Sequence, residues 1–277
     1  MNYELDMKKS VFIFLLILGT LSGCNDELAV VYSPQDTLDY EVFKEIPEND
    51  TVLLVLSNEL THDINPEKEL ALKLSYFPYN IMLVHQAQTK DPSLSNQYYM
   101  TNVEADQINT ISAEILKRTI EHFKSEGKYV IVFGDFIGSF LALKSIQLFG
   151  LKADTYALLN GRLDVEQEIV EVAEGLRLAV LNENREVIVG NYIINHENWV
   201  DFRLLGSMIR PRYTEVLTGV DLTNMICTYR FENEDMGSPT EAEVTFLENN
   251  GARVHGFPGS AAWSGYEFYA ILDFVRN

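Results

Sequence analysis

Acyl transfer by protein side chains needs a nucleophile, a base to take its proton and an acid to orient the base. This sequence offers scattered candidates for each. Ser57 closes the apolar run TVLLVL, and Ser139 follows KYVIVFGDFIG. Of the five histidines, His255 lies in the late run Arg253 to Gly256, while nothing in the spacing of His62, His85 and His196 singles one out as a base. Asp235 sits in the acidic turn ENEDMG after the run MICTYRF. There are two cysteines, and Cys227, inside Met225-Ile226-Cys227, reads as a small buried hydrophobe rather than a nucleophile. No Cys-x-x-Cys, His-Glu-x-x-His or Gly-x-Gly-x-x-Gly occurs, and no residues show metal-ligand spacing. Neither a metal nor a cofactor is expected.

The elements that must position these groups alternate. Strands are expected at Thr51 to Leu56, Asn80 to His85, Tyr129 to Phe133, Ala153 to Leu159, Met225 to Phe231 and Ala252 to Phe257. All are short apolar or β-branched runs. Helical spacing marks Pro66 to Phe77, Asn102 to Lys124 (capped at Asp106 or a neighbour), the stretch from Ser139, Val165 to Leu178, Asn195 to Met208, Thr240 to Asn249 and Tyr266 to Val275. Gln86 to Met100 reads as a long loop. Strands alternating with helices imply an α/β fold, a mostly parallel central sheet with helices on both faces.

At the centre, strand Tyr129 to Phe133 runs into Gly134-Asp135-Phe136-Ile137-Gly138 and then a helix. Strand, tight glycine-bracketed turn and helix together resemble the nucleophile elbow, Gly-x-Ser-x-Gly, of the α/β-hydrolase fold. The resemblance covers roughly residues 50 to 277. It implies a domain at 49–277 with a cap inserted at about 161–222, a nucleophile at position 136, a histidine after the last strand and an acid after a late strand. The glycines match and the nucleophile does not, because position 136 is Phe. The aligned histidine position in Phe257-Pro258-Gly259-Ser260-Ala261-Ala262-Trp263 is Ala262. Asp235 takes the acid position. Ser57, Ser139 and His255 are the weak substitutes, each equally readable as a cap, a packing residue or a hydrogen-bonded structural histidine.

Met7 to Cys24 reads MKKSVFIFLLILGTLSGC, a basic start, an apolar run and a small-residue end. The run is too short to span a hydrocarbon core of ~30 Å. Leu21-Ser22-Gly23-Cys24 resembles the lipobox of bacterial lipoproteins, which implies cleavage of residues 1–23 (with Met7 as an alternative start), lipidation of Cys24 and a membrane partner through that anchor. Residues 24–48 are then expected as a tether, with a first edge strand at Leu28 to Tyr32. The expected location is the bacterial cell envelope, on the periplasmic or the surface side.

Removing residues 1–23 takes away two acidic and two basic residues, so the formal charge stays at −20. That excludes nucleic acid as a natural partner. Three functions follow as expectations. The first is non-catalytic binding of a small apolar ligand or an envelope protein, in a pocket lined by Phe136, Trp199, Phe202 and Trp263. The second is an esterase-like serine hydrolase with a relocated nucleophile. The third is a structural envelope lipoprotein without a pocket.

Overall fold

The computed structural model describes residues 32, 38–57, 60, 64–95, 100–175, 177–181, 187–193, 199–230 and 238–258. Seven strands form the main sheet: β1 (Tyr40–Lys44), β2 (Thr51–Val55), β3 (Asn80–Val84), β4 (Tyr129–Asp135), β5 (Thr155–Leu159), β8 (Met225–Arg230) and β9 (Arg253–Phe257). Their order is β1-β3-β2-β4-β5-β8-β9, parallel throughout except for β1, which runs antiparallel to β3. A separate antiparallel hairpin, β6 (Arg177–Leu181) and β7 (Val187–Ile193), lies in the interval between β5 and β8.

The central strands are apolar along their middles, with polar residues confined to their ends, because both faces are covered. On one face Leu53, Val55, Ile81, Leu83, Ile131, Phe133, Ala157 and Leu159 pack with Leu70, Ala71 and Leu74 of helix α1 (Asn65–Leu74). Helices α3 (Asn102–Ser125) and α4 (Ile137–Phe149) pack on the alternate residues of the other face and on each other. The cap of α3 is Thr101, not Asp106. Thr101 N–H donates to Glu104 Oε2 at 2.7 Å and Glu104 N–H to Thr101 Oγ1 at 3.1 Å, a reciprocal capping box. Asp106 stands on the next turn, where its carboxylate accepts from Lys144 Nζ at 2.7 Å and Ser207 Oγ at 3.2 Å.

Two expectations shift. The stretch 24–48, expected as a tether, contains β1, so the folded domain begins earlier than residue 49. Asp39 fixes that entry, because its carboxylate accepts from Lys90 Nζ at 2.6 Å and Arg118 Nε at 2.8 Å. Burial pushes the Asp39 carboxyl up, but the bonds from Arg118 and Lys90 outweigh burial and hold it below its ordinary value. The expected loop Gln86 to Met100 contains a short helix, α2 (Ala87–Lys90), followed by a 3-10 turn at Pro92–Leu94. The expected edge strand Leu28 to Tyr32 lies outside the described residues except for Tyr32, and the terminal helix Tyr266 to Val275 lies outside them entirely.

The interval 161–222 carries α5 (Gln167–Glu174), the β6–β7 hairpin, α6 (Trp199–Ile209) and α7 (Tyr213–Val216). The helix expected over Val165 to Leu178 stops at Glu174, and its last residues open β6 instead. α6 joins the helix layer: Val200, Leu204, Met208 and Ile209 are buried, and Asn109 Nδ2 of α3 donates to Leu204 O at 2.8 Å.

Candidate functional site at the elbow

The parallel strands β2, β4, β5, β8 and β9 all end at one edge of the sheet, and the turn leaving β4 there passes through a residue with positive φ. Phe136 has φ 45° and ψ −98°, one of two non-glycine residues with positive φ among those described. An L-residue in this region costs about 1–2 kcal/mol, so the surrounding packing must hold it. Phe136 N–H donates to Leu159 O at 3.0 Å, and Phe136 O accepts from Ser139 N at 3.1 Å and Phe140 N at 3.2 Å. The turn is therefore tied to β5 on one side and already serves as the first carbonyl of α4 on the other.

Glycine is required by closeness rather than by φ at both brackets. A Cβ on Gly134 would lie 2.5 Å from the carbonyl carbon of Gly138. A Cβ on Gly138 would lie 2.9 Å from Ser57 O and 3.0 Å from Leu56 Cβ. A third glycine, unnoticed in the sequence, completes the set. A Cβ on Gly161 would come 2.7 Å from Ser139 Cβ. The backbone thus has the strained turn that elsewhere lifts a side chain above a sheet, and the lifted side chain is a phenyl ring. That ring is half-buried and meets Phe140 edge-on at 6.1 Å between centroids.

The substitute nucleophiles are structural. Ser139 is fully buried, and its Oγ lies 3.0 Å from Gly134 O and 2.8 Å from Leu159 O, so its one proton serves two carbonyls. Ser57 is buried beneath the elbow, with its carbonyl against Gly138. Burial pushes the Cys227 thiol up to about 12, which leaves almost no thiolate near neutrality. His255 is half-buried in β9, paired in register with Thr228, its ring 6.3 Å from that of Phe257. Three strand spacings separate β9 from β4, roughly 14 Å, so the structure does not bring His255 to Phe136. Asp235, Ala262, Trp263 and Cys24 lie outside the described residues. Trp199 opens α6, and Phe202, one turn on, is half-buried in the same helix. Among the described residues no group of three or more His, Cys, Asp or Glu gathers as a metal site.

What the sequence reading missed is the pair beside the ring. Asp135, the last residue of β4, accepts from Asn160 Nδ2 at 3.1 Å. Burial pushes the Asp135 carboxyl up to about 6, and the Asn160 hydrogen bond only partly offsets this. Asn160 directly follows β5 and is the second residue with positive φ, at 49°. The available signal was a carboxylate embedded in the apolar run VIVFGDFIG, where a charge needs a reason. Away from this edge, a cavity of about 290 Å³ is lined by Leu38, Asp39, Tyr40, Arg118, Thr119 and His122. Its carboxylate and guanidinium already pair with each other, so it offers no free charge to a ligand.

No family model and no curated protein sequence matches this chain. Solved structures do. MenH from S. aureus is similar at 12% identity with a TM-score of 0.53, over 87% of this chain and 100% of that one. The peroxisomal alpha-beta-hydrolase Lpx1 from Saccharomyces cerevisiae is similar at 10% identity with a TM-score of 0.51, over 86% of this chain and 80% of that one. The chain has the α/β-hydrolase fold. The likeness at such identity extends to the fold alone.

Proposed function

We propose that this chain is a lipid-anchored protein of the bacterial cell envelope whose α/β-hydrolase fold binds a small apolar ligand or a protein partner at the elbow without catalysing its conversion. The observation that carries the proposal is Phe136 at φ 45° on a turn whose glycines are all needed for closeness. The costly geometry is kept, and the residue it lifts can pack against a ligand but cannot attack one. The burial of Ser57, Ser139 and Cys227 supports the same reading. The interval 161–222 acts as a cap through the part of it that precedes α6. The anchor is Cys24, placed by the lipobox resemblance of Leu21-Ser22-Gly23-Cys24.

The test is exposure of the full chain, in detergent, to a fluorophosphonate probe and to short-chain p-nitrophenyl esters. Neither labelling nor turnover is expected. Labelling of any serine would overturn the reading in favour of an esterase with a relocated nucleophile. Phe136→Ser, run alongside, is also expected to stay silent, because an elbow serine without a base remains protonated. A lipid-analogue label should enter the chain in cells and be lost in Cys24→Ala.

A further inference from the structure

The elbow has two sides. Phe136 is apolar, but Asp135 and Asn160 next to it are not, and their hydrogen-bonding capacity is not used up. Asn160 is only 6% exposed, and its Nδ2 is aimed at Asp135, which leaves Oδ1 on the same amide. That oxygen is buried and accepts no hydrogen bond from any of the described residues. Asp135 is half-buried, accepts a hydrogen bond from Asn160 Nδ2, and has no ion pair among the described residues. Among the described residues, the exposed Lys73 of α1 is the cation that acts on it electrostatically. A buried amide oxygen without a donor and a desolvated carboxylate without a counter-ion are each costly, and both costs are relieved by the same kind of group.

We propose that Asp135 and Asn160 form the polar end of the elbow site and take the ammonium group of a ligand whose apolar body lies on Phe136. An ammonium has three N–H donors and no acceptor. It suits a corner that presents a carboxylate and an amide oxygen. A carboxylate or phosphate ligand would meet the wrong sign, and a hydroxyl would supply one donor where two acceptors wait. Asn160 has its positive φ directly after β5, and its amide reaches across to Asp135 at the end of β4. This rests on the binding reading of the elbow and specifies its ligand class.

The test uses the full chain in detergent with benzylammonium, benzyl alcohol and benzoate as probes, followed by calorimetry or ligand-observed NMR. Probes of this size bind in the millimolar range at best, so differences are read as ratios (about 1 mM corresponds to −4 kcal/mol). Benzylammonium is expected to bind at least about tenfold more tightly than benzyl alcohol, with benzoate not detected, in keeping with the strength of charge-assisted bonds. Asp135→Asn should remove that preference, and Asn160→Gly, which tolerates the positive φ, should weaken it several-fold. Thr119→Val is the control: its buried hydroxyl donates to Ile115 O within α3, away from the turns that follow β4 and β5, so its loss should leave the preference unchanged.

Equal binding of benzylammonium and benzyl alcohol, or an unchanged preference in Asp135→Asn, overturns the inference. If both probes bind equally and both are lost in Phe136→Ala, apolar binding at the elbow stands while the ammonium assignment falls. If none of the probes binds at about 10 mM, the ammonium inference is overturned whatever the fluorophosphonate result.

Discussion

Two polar clusters stand near the same edge of the sheet, and they are built on opposite terms. At the root of the interval 161–222, Arg162 is 2% exposed and hydrogen-bonded through both terminal nitrogens, with only its buried Nε lacking a partner among the described residues. Its NH1 donates to both oxygens of Glu166 at 2.9 and 2.7 Å, and its NH2 to Asp164 O at 2.6 Å and Glu243 Oε2 at 3.4 Å. Glu243, on α8 (Glu241–Asn249), accepts from the backbone N–H groups of Leu163, Asp164 and Thr240 at 2.6 to 2.7 Å. Asp164 in turn holds Thr214 and Arg212, so the entry and the exit of the interval are tied together. At the elbow, by contrast, Asp135 and Asn160 hold each other and little else. Both clusters desolvate charge, but only one spends its hydrogen-bonding capacity on the fold. The root is a clamp, and the elbow is where capacity is left over for something else.

The comparison breaks first if the clamp is not a clamp. Glu243→Ala removes one of the two carboxylates that face the buried Arg162 and strands three backbone N–H groups at once. It should destabilise by about 3–5 kcal/mol, the usual cost of removing one partner of a buried pair. Glu243→Gln keeps an acceptor oxygen and should cost less. Denaturant unfolding of the full chain in detergent reads both, and an Ala variant as stable as the parent would remove the distinction between the clusters.

Next in size is the elbow backbone itself. Gly134→Ala places a Cβ against the backbone of Gly138 and Ser139, at 2.5 to 2.7 Å, where no side chain can swing away. A loss of about 1–3 kcal/mol is expected. Gly138→Ala, at 2.9 to 3.0 Å, should lose less. If both are neutral in thermal unfolding, the elbow is not held tightly enough to sustain positive φ at Phe136.

These two regions also show which features a single chain reveals. The apolar runs at Thr51 to Leu56 and Tyr129 to Phe133 announced buried parallel strands because burial on both faces leaves no polar residue to confuse the pattern. The elbow was legible because Gly134 and Gly138 are demanded by local closeness within five residues of chain. β1 was not, since Tyr40–Lys44 is an edge strand with Glu41 and Lys44 among apolar residues, and its place is set by Asp39 reaching Lys90 and Arg118 far along the chain. The clamp was equally hidden. Arg162 and Glu243 are 81 residues apart, and nothing local distinguishes them from surface charges. Asp135 was passed over as a spacer in the glycine motif, because its importance comes from Asn160, which only strand pairing brings alongside.

The surplus at the elbow should also appear as a pH effect. Asp135 titrates at about 6 in the fold and near its ordinary 3.8 when unfolded. Between those values the folded chain holds a proton that the unfolded chain has lost. This carboxyl therefore lowers stability as pH rises through that window, and the full penalty is present above it. Asp135→Asn keeps an oxygen for Asn160 Nδ2 and removes the charge. It should stabilise the unliganded chain at pH 7 by at most about 3 kcal/mol, less for the solvent that still reaches the group, and by nothing near pH 3.5. A substitution that stabilises the fold while abolishing a ligand preference is the behaviour of a site, whereas Glu243→Gln should destabilise at both pH values.

The smallest effect sharpens the boundary between the two terms. Ser139 stands directly behind Phe136, yet its hydroxyl is directed inward at Gly134 O and Leu159 O. It thus belongs with the clamp's logic rather than with the exposed side of the elbow. Ser139→Ala keeps the Cβ that Gly161 makes room for and deletes one shared donor. Leu159 O still accepts from Phe136 N–H, so only part of the loss is uncompensated. About 1 kcal/mol is expected in thermal or denaturant unfolding, with unchanged benzylammonium binding and no change in the absent fluorophosphonate labelling. A loss of binding without a loss of stability would place Ser139 on the ligand's side of the turn, and the division between groups that serve the fold and groups left for a ligand would have to be redrawn one residue deeper.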